Sequence, residues 1–365
     1  METELFLEML NFDSTSGKEA GLADFLAERL HTGRCSVEKF EVGDGTVNLL
    51  FSWGKPQIVF CSHLDTVPPY IPPVVDGDIV HGRGSCDAKG QIFAMYEACK
   101  ALEKKGYDGF GLLLLAGEET GSFGAKAFRE QHPGAEWLIV GEPTDNCMAS
   151  ASKGTKSFEV SFEGKAFHSG YPQYGVSAIE MFNDFVNALR SIGFPEDEIL
   201  GDTTWNIGRL VSDNPQNILS DRLTCRVYFR TTFESDEMVC NVMKNIAGEN
   251  AKLRFGRRRV QDGSDVAAKD VAQWQKSMTV KAFGGDSPTR FETLEGFDTK
   301  PVAFGSDAPQ LTNFRRKILC GPGSILVAHR PEEHIAFPDL ETAIENYIHM
   351  YEVLVNDGDL TSPEQ

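Results

Sequence analysis

Ile58-Val59-Phe60-Cys61-Ser62-His63-Leu64-Asp65-Thr66 sets an apolar run directly before a histidine and an aspartate two residues apart. A short run rich in β-branched and aromatic residues reads as a buried strand, which puts the polar pair at its exit. Residues two apart on an extended chain point to one side, so His63 and Asp65 face the same way. A carboxylate often orients the second ring nitrogen of a metal-binding histidine. The spacing therefore suggests His63 as a ligand and Asp65 as its orienting partner, with an ordinary polar loop as the alternative.

The same arrangement recurs along the chain. The run Leu112-Leu113-Leu114-Leu115 leads into Ala116-Gly117-Glu118-Glu119-Thr120. Adjacent carboxylates on extended backbone point to opposite sides, so one can hold a metal while the other faces substrate or water. Their repulsion also raises one pKa and favours a proton acceptor. Val140-Gly141-Glu142-Pro143-Thr144 closes another apolar run, and Pro143 keeps Glu142 extended. Asp87 stands in Gly82-Arg83-Gly84-Ser85-Cys86-Asp87-Ala88-Lys89-Gly90, ahead of a helical pattern. An N-cap is the plain alternative for Asp87. A phosphate loop is not supported, because the glycine and lysine spacing does not fit. Gly321-Pro322-Gly323-Ser324 and Ala328-His329-Arg330-Pro331 complete the series, and His334 reads as a surface residue. Acids and imidazoles at successive strand ends suit an open α/β sheet, whose sites lie there. The sulfur-free set His63, Asp87, Glu119, Glu142 and His329 suits Zn²⁺, Co²⁺ or Mn²⁺. Five ligands with one shared make two sites, and two ions would clamp a water and polarise a carbonyl.

Around these motifs, helix-period stretches at 4–10, 20–30 and 91–104 alternate with strand-like runs at 46–51, 57–61, 110–116 and 135–140. That alternation argues for an α/β sheet covered on both faces. The middle reads strand 155–162, helix 176–192, strands 205–211 and 223–231, helix 235–247 and strand 252–259, a β-α-β-β-α-β ferredoxin-like unit. The first style returns with a helix at 267–281, strands at 301–304 and 317–320 and a helix at 340–355. The expectation is one domain built from 1–154 and 265–365, interrupted by an inserted domain at 155–264. The segment 357–365 reads as a frayed polar tail.

The chain has 365 residues, 41% apolar and 24% charged, which are globular values. Its 54 acidic and 35 basic residues give a net charge of −19, which speaks against nucleic acid and anionic membranes as partners. No run approaches a membrane span, and the start carries no signal pattern. The eight cysteines are scattered without a C-x-x-C pair, so a reduced cytoplasmic protein with buried thiols is expected. No G-x-G-x-x-G follows an N-terminal strand, which leaves a dinucleotide-binding dehydrogenase unsupported.

In these motifs, and in their order nearly end to end (about 1 to 355), the sequence resembles the dinuclear zinc aminoacylase and exopeptidase family. That family contains acetylornithine deacetylase, succinyl-diaminopimelate desuccinylase and carboxypeptidase G. The resemblance implies a mixed-sheet α/β, zinc-peptidase-like catalytic domain with an inserted α+β ferredoxin-like lid through which a homodimer forms. It implies two divalent ions, Zn²⁺ or Co²⁺, bridged by Asp87, with His63 and Glu142 at one and Glu119 and His329 at the other. Glu118 becomes the general base for a metal-bridging water, Asp65 orients His63, and a cis peptide follows Asp87. His168, in Phe167-His168-Ser169-Gly170, would stabilise the oxyanion, a donor placed where negative charge develops. Asn217 and Arg230 match lid positions near the substrate; Arg230 would bind an α-carboxylate by paired hydrogen bonds, with a strand-surface salt bridge as the alternative, and the backbone at Gly323 would meet the same carboxylate.

The implied reaction is hydrolysis of an N-acyl-L-amino acid. Gly-Glu-Pro-Thr at 141–144, Gly-Pro-Gly-Ser at 321–324 and Ser306-Asp307-Ala308-Pro309 look most like the acetylornithine deacetylase branch. Gly-Ser-Phe-Gly at 121–124 looks like the carboxypeptidase G branch. N2-acetyl-L-ornithine is the first expectation. Succinyl-diaminopimelate desuccinylation, and aminoacylase or carboxypeptidase cleavage of dipeptides, are the alternatives. A metal or acyl-amino-acid binding protein is the alternative outside catalysis.

Overall fold

A computed structural model describes residues 3–43, 45–247 and 278–356. The chain divides into two compact units: residues 1–150, 290–302 and 306–365 form the first, and 151–289 with 303–305 the second.

The first unit is built on a six-stranded mixed sheet. Its order is Ser36–Gly43, Thr46–Trp53, Phe110–Leu115, Ile58–His63, Trp137–Val140, Arg316–Leu319. Thr46–Trp53 runs antiparallel to both of its neighbours, and the last four strands run parallel. The strands Ile58–His63, Phe110–Leu115 and Trp137–Val140 are buried at every residue, as parallel strands covered on both faces must be. The helix Lys89–Lys104 buries eleven of its sixteen residues and packs against Phe337–Asn356. The core joins both helices to Thr3–Leu10 and Ala20–Arg29 through Phe6, Phe93, Phe60 and Tyr347. A small antiparallel sheet, Val74–Asp76, Ile79–His81 and His334–Ala336, belongs to the same unit.

The second unit is a four-stranded antiparallel sheet in the order Thr204–Val211, Arg222–Thr231, Gly154–Glu163, Met278–Ala282. The helices Ala178–Arg190 and Asp236–Ala247 pack on it around Phe158, Phe162, Phe185 and Phe229. Ser177 caps the first helix, its hydroxyl accepting from Glu180 N–H.

Two expectations change here. The helix placed over 267–281 is, at its described end, the strand Met278–Ala282 pairing with Gly154–Glu163. Met278 and Val280 alternate with Thr279 and Lys281, a period of two that sends Met278 into the core. The division accordingly falls after 289 rather than at 264. The strand placed over 252–259, the rest of 267–281 and the tail 357–365 lie outside the described residues. The strand Ser36–Gly43 and the helix Phe123–Gln131 were not anticipated. The strand's residues are mostly exposed and polar, and the helix is short and starts after a left-handed Ser122 with no side-chain cap. All eight cysteines are free thiols, and no helix among the described residues is long and apolar enough to cross a membrane.

Candidate metal centre

Register brings the polar strand ends to one edge of the sheet. His63 pairs with Leu115, Cys61 with Val140, and Val140 with Leu319. Glu142 is therefore level with His63, and Glu118 and Glu119 follow within four residues of Leu115. Gly117 turns the chain out of its strand at φ +67°, a region side chains rarely adopt. Asp87 arrives from the loop before Lys89–Lys104. Ala88 is the N-cap of that helix and no side chain caps it, so Asp87 does not serve as a cap. The Asp87–Ala88 peptide is cis, as the resemblance implied.

Asp87 lies between two imidazoles. Its Oδ1 is 3.0 Å from His63 Nε2 and its Oδ2 is 3.2 Å from His329 Nε2. The same His329 nitrogen is 2.9 Å from Glu119 Oε1. Ligand atoms of His63, Asp87 and Glu119 lie within 4.8 Å of one another. His63 Nδ1 sits 2.9 Å from the Asp65 carbonyl, which fixes the ring proton on that side. With Nδ1 so engaged, Nε2 is the ring atom that faces Asp87 Oδ1, 3.0 Å away, and a divalent cation would take the place of the Nε2 proton between them. The oxygen and imidazole donors, one carboxylate facing two histidines, fit divalent ions of the zinc and cobalt type.

The electrostatics agree. Burial alone pulls the His63 imidazole down, but hydrogen bonds to Asp65 and Asp87 hold it well above the usual histidine range. Hydrogen bonds to Asp87 and Glu119 lift His329 to about 10. Burial pushes Glu118 well above the usual carboxylate range, and the charges of Asp307, Glu119 and Asp87 add to it against the opposing pull of His63. Burial also raises Glu142, with Asp87, Glu118 and Asp307 adding to it against His63. Carboxylates raised by burial and by one another, and imidazoles raised by carboxylates, make a cluster that a divalent cation relieves.

Asp65 stands beside the His63 ring and has further partners. Its carboxylate Oδ1 is 3.5 Å from His63 Nδ1, and the nearer acceptor is its own backbone carbonyl. The fully buried carboxylate also accepts from Ser16 Oγ (2.7 Å), Glu118 N–H (2.9 Å) and Glu119 N–H (3.2 Å). It holds the backbone of the two adjacent acids, while its main chain orients His63. His334 is half-buried in a strand, its ring against His81, rather than a bare surface residue. Gly323 is buried, with φ +74°, and its carbonyl accepts from Asp145 N–H. A Cβ there would come within 2.7 Å of Cys86 Sγ, so close packing is what the position demands.

The other predicted residues lie in the second unit. His168 is exposed, and its Nδ1 accepts from Gly170 N–H at 3.0 Å, which leaves Nε2–H to donate. Asn217 is exposed, and its carbonyl accepts from Ser169 N–H. The Arg230 guanidinium lies 5.0 Å from the Tyr228 ring centre. Two residues beside the centre were not singled out from sequence. Glu333 and Arg83 are both 1% exposed and paired, with Glu333 also accepting from the Asp87 backbone N–H. No periodicity marks them, since a buried acid in a charged loop reads like an exposed one.

A model of peptidase family M20/M25/M40 matches residues 59–353, a span that includes all five predicted ligands. A peptidase M20 domain-containing protein of Schizosaccharomyces pombe is 33% identical over 361 residues, covering 95% of this chain and 83% of that protein. A probable carboxypeptidase of Aspergillus clavatus is 29% identical over 378 residues, covering 93% of this chain and 85% of that protein. Among solved structures, a tripeptidase from Staphylococcus aureus superposes with a TM-score of 0.76 at 20% identity, covering 96% of this chain and 97% of that one.

Proposed function

The chain belongs to peptidase family M20/M25/M40, and from that premise we propose that it is a metal-dependent carboxypeptidase that hydrolyses the terminal amide of a short peptide or N-acyl amino acid. The observation that carries the reading is Asp87 set between His63 and His329, with Glu118 and Glu119 alongside. Relatives named as probable carboxypeptidases favour peptide cleavage over the N2-acetyl-L-ornithine first expected. Acetylornithine remains the second reading, on Gly-Glu-Pro-Thr at 141–144 and Gly-Pro-Gly-Ser at 321–324.

His63, Glu142, Asp87, Glu119 and His329 would hold two divalent ions, Zn²⁺ or Co²⁺. Bound there, the ions would supply Lewis acidity, acidifying water and polarising the scissile carbonyl. Glu118 accepts the proton of the attacking water and passes it to the leaving amine. A carboxylate whose pKa burial raises suits both halves of that transfer. Asp65 holds the Glu118 and Glu119 backbone in place while this occurs. We assign His168 to oxyanion stabilisation through its Nε2–H, and Asn217, Arg230 and the Gly323 turn to the substrate carboxylate. We also assign the second unit to homodimer formation.

The test is amine release from Zn²⁺- or Co²⁺-loaded protein over a panel of dipeptides, tripeptides, N-acyl dipeptides and N-acetyl-ornithine. Release of C-terminal residues from the peptides supports the reading. Turnover confined to N-acetyl-ornithine moves the assignment to the deacetylase. A fully loaded protein with no turnover on any member overturns the enzyme.

A further inference from the structure

Glu333 gathers the loop that carries Asp87. Its Oε1 accepts from three backbone N–H groups: Gly84 at 2.8 Å, Asp87 at 3.1 Å and Cys86 at 3.2 Å. Its Oε2 pairs with the Arg83 guanidinium, and its backbone carbonyl accepts from Gly82 N–H at 3.0 Å. Both side chains are 1% exposed, so nothing in solvent replaces these partners. Four residues upstream, His329 places Nε2 3.2 Å from Asp87 Oδ2. The short segment 329–333 therefore touches Asp87 at both ends, by the imidazole at its carboxylate and by Glu333 at its backbone nitrogen.

We propose that Glu333 is a positioning residue for the metal centre, holding Asp87 in register with His329 by fixing the backbone of residues 84–87. The inference rests on the metal-dependent reading above. Oriented backbone donors converging on a buried carboxylate preorganise a ligand in the way that outer partners do at metal sites, where their loss weakens affinity about 10–100-fold. A glutamine cannot substitute. Its amide nitrogen must face either the Arg83 guanidinium or the three N–H groups, donor against donor in both orientations. A clamp that serves the fold alone would lower stability and leave metal affinity unchanged.

The experiment measures Zn²⁺ affinity by competition with a chelating dye, together with the visible spectrum of the Co²⁺ form and the melting temperature. The proteins are the full chain and its Glu333→Gln, Glu333→Asp and Tyr351→Phe variants. Tyr351→Phe loses a hydrogen bond to the Asp108 carbonyl and serves as a stability control outside the centre. Glu333→Gln should lose about 10–100-fold in Zn²⁺ affinity and shift the Co²⁺ spectrum, while Tyr351→Phe melts earlier at unchanged affinity. Should Glu333→Gln fail to fold, Glu333→Asp carries the test. It keeps the charge but shortens the reach to the three N–H groups, and should lose affinity in the same direction. Variants that melt earlier yet bind Zn²⁺ as tightly as the unmodified protein overturn the inference alone. An unmodified protein that binds no divalent ion overturns the metal-centre reading, and this inference with it.

Discussion

Asp65→Asn separates two routes by which one buried acid can serve the centre. The carboxylate is 0% exposed and takes donors from Ser16, Glu118 and Glu119 at 2.7, 2.9 and 3.2 Å. Hydrogen bonds to a charged acceptor are worth about 1.5–3 kcal/mol against about 1 for a neutral one. Asparagine keeps the shape, but its amide nitrogen must turn toward at least one donor, at about 1–3 kcal/mol. The combined cost is about 3–5 kcal/mol, the range for breaking a buried charged network. In a unit of this size that is a fall in Tm of about 10 °C or more. Release of the Glu118 and Glu119 backbone should lower kcat about 100-fold, as a displacement near 1 Å does. His63 is oriented by the residue 65 carbonyl, which asparagine retains, so the loss of metal affinity should come through the released Glu119 backbone alone and stay within about 10–100-fold, short of a collapse. The assays are dye competition for Zn²⁺ and steady-state kinetics on the best panel substrate under saturating metal. A collapse of metal affinity with unchanged kcat in the loaded protein would refute this division and restore the carboxylate as the orienter of His63.

Three further outcomes follow from the same geometry. Glu118→Gln should keep its metal and lose about 10²–10⁴ in kcat with KM nearly unchanged, measured on the same substrate. Lys89 is buried, donates to the Phe12 carbonyl at 2.8 Å, and is held down to about 8 by burial. Between that value and its unfolded 10.5 the unfolded chain binds the extra proton, so stability rises as pH climbs through this window. Urea melts at pH 7 and pH 10 should show a rise of a few kcal/mol, on the order of 1.4 per pKa unit, that Lys89→Met abolishes. Chelation should lower the Tm of loaded protein, because an ion at about 100 times its Kd contributes about 2.7 kcal/mol to the folded state, read by calorimetry with and without chelator.

Several parts of this design were legible in the chain itself. The runs ending at His63, Leu115 and Val140 are apolar at nearly every position, and continuous burial leaves a strong local trace. The polar residues His63, Glu118, Glu119 and Glu142 stand out because they interrupt that trace. The strand Met278–Ala282 is not legible in this way, because its burial is partial and its pairing with Gly154–Glu163 spans more than a hundred residues. Long-range pairing leaves no mark in a local window.

What the sequence determined by itself is the chemistry: the donor types, their order and the strand ends that carry them. Only the tertiary structure decided which acid does what. Asp65, beside the His63 ring, also holds the backbone of Glu118 and Glu119, and Glu333 is bonded to the loop of Asp87. The reason is physical. Residue type and spacing fix what a side chain can donate or accept, whereas its actual partners depend on which distant backbone groups are buried beside it and must be satisfied.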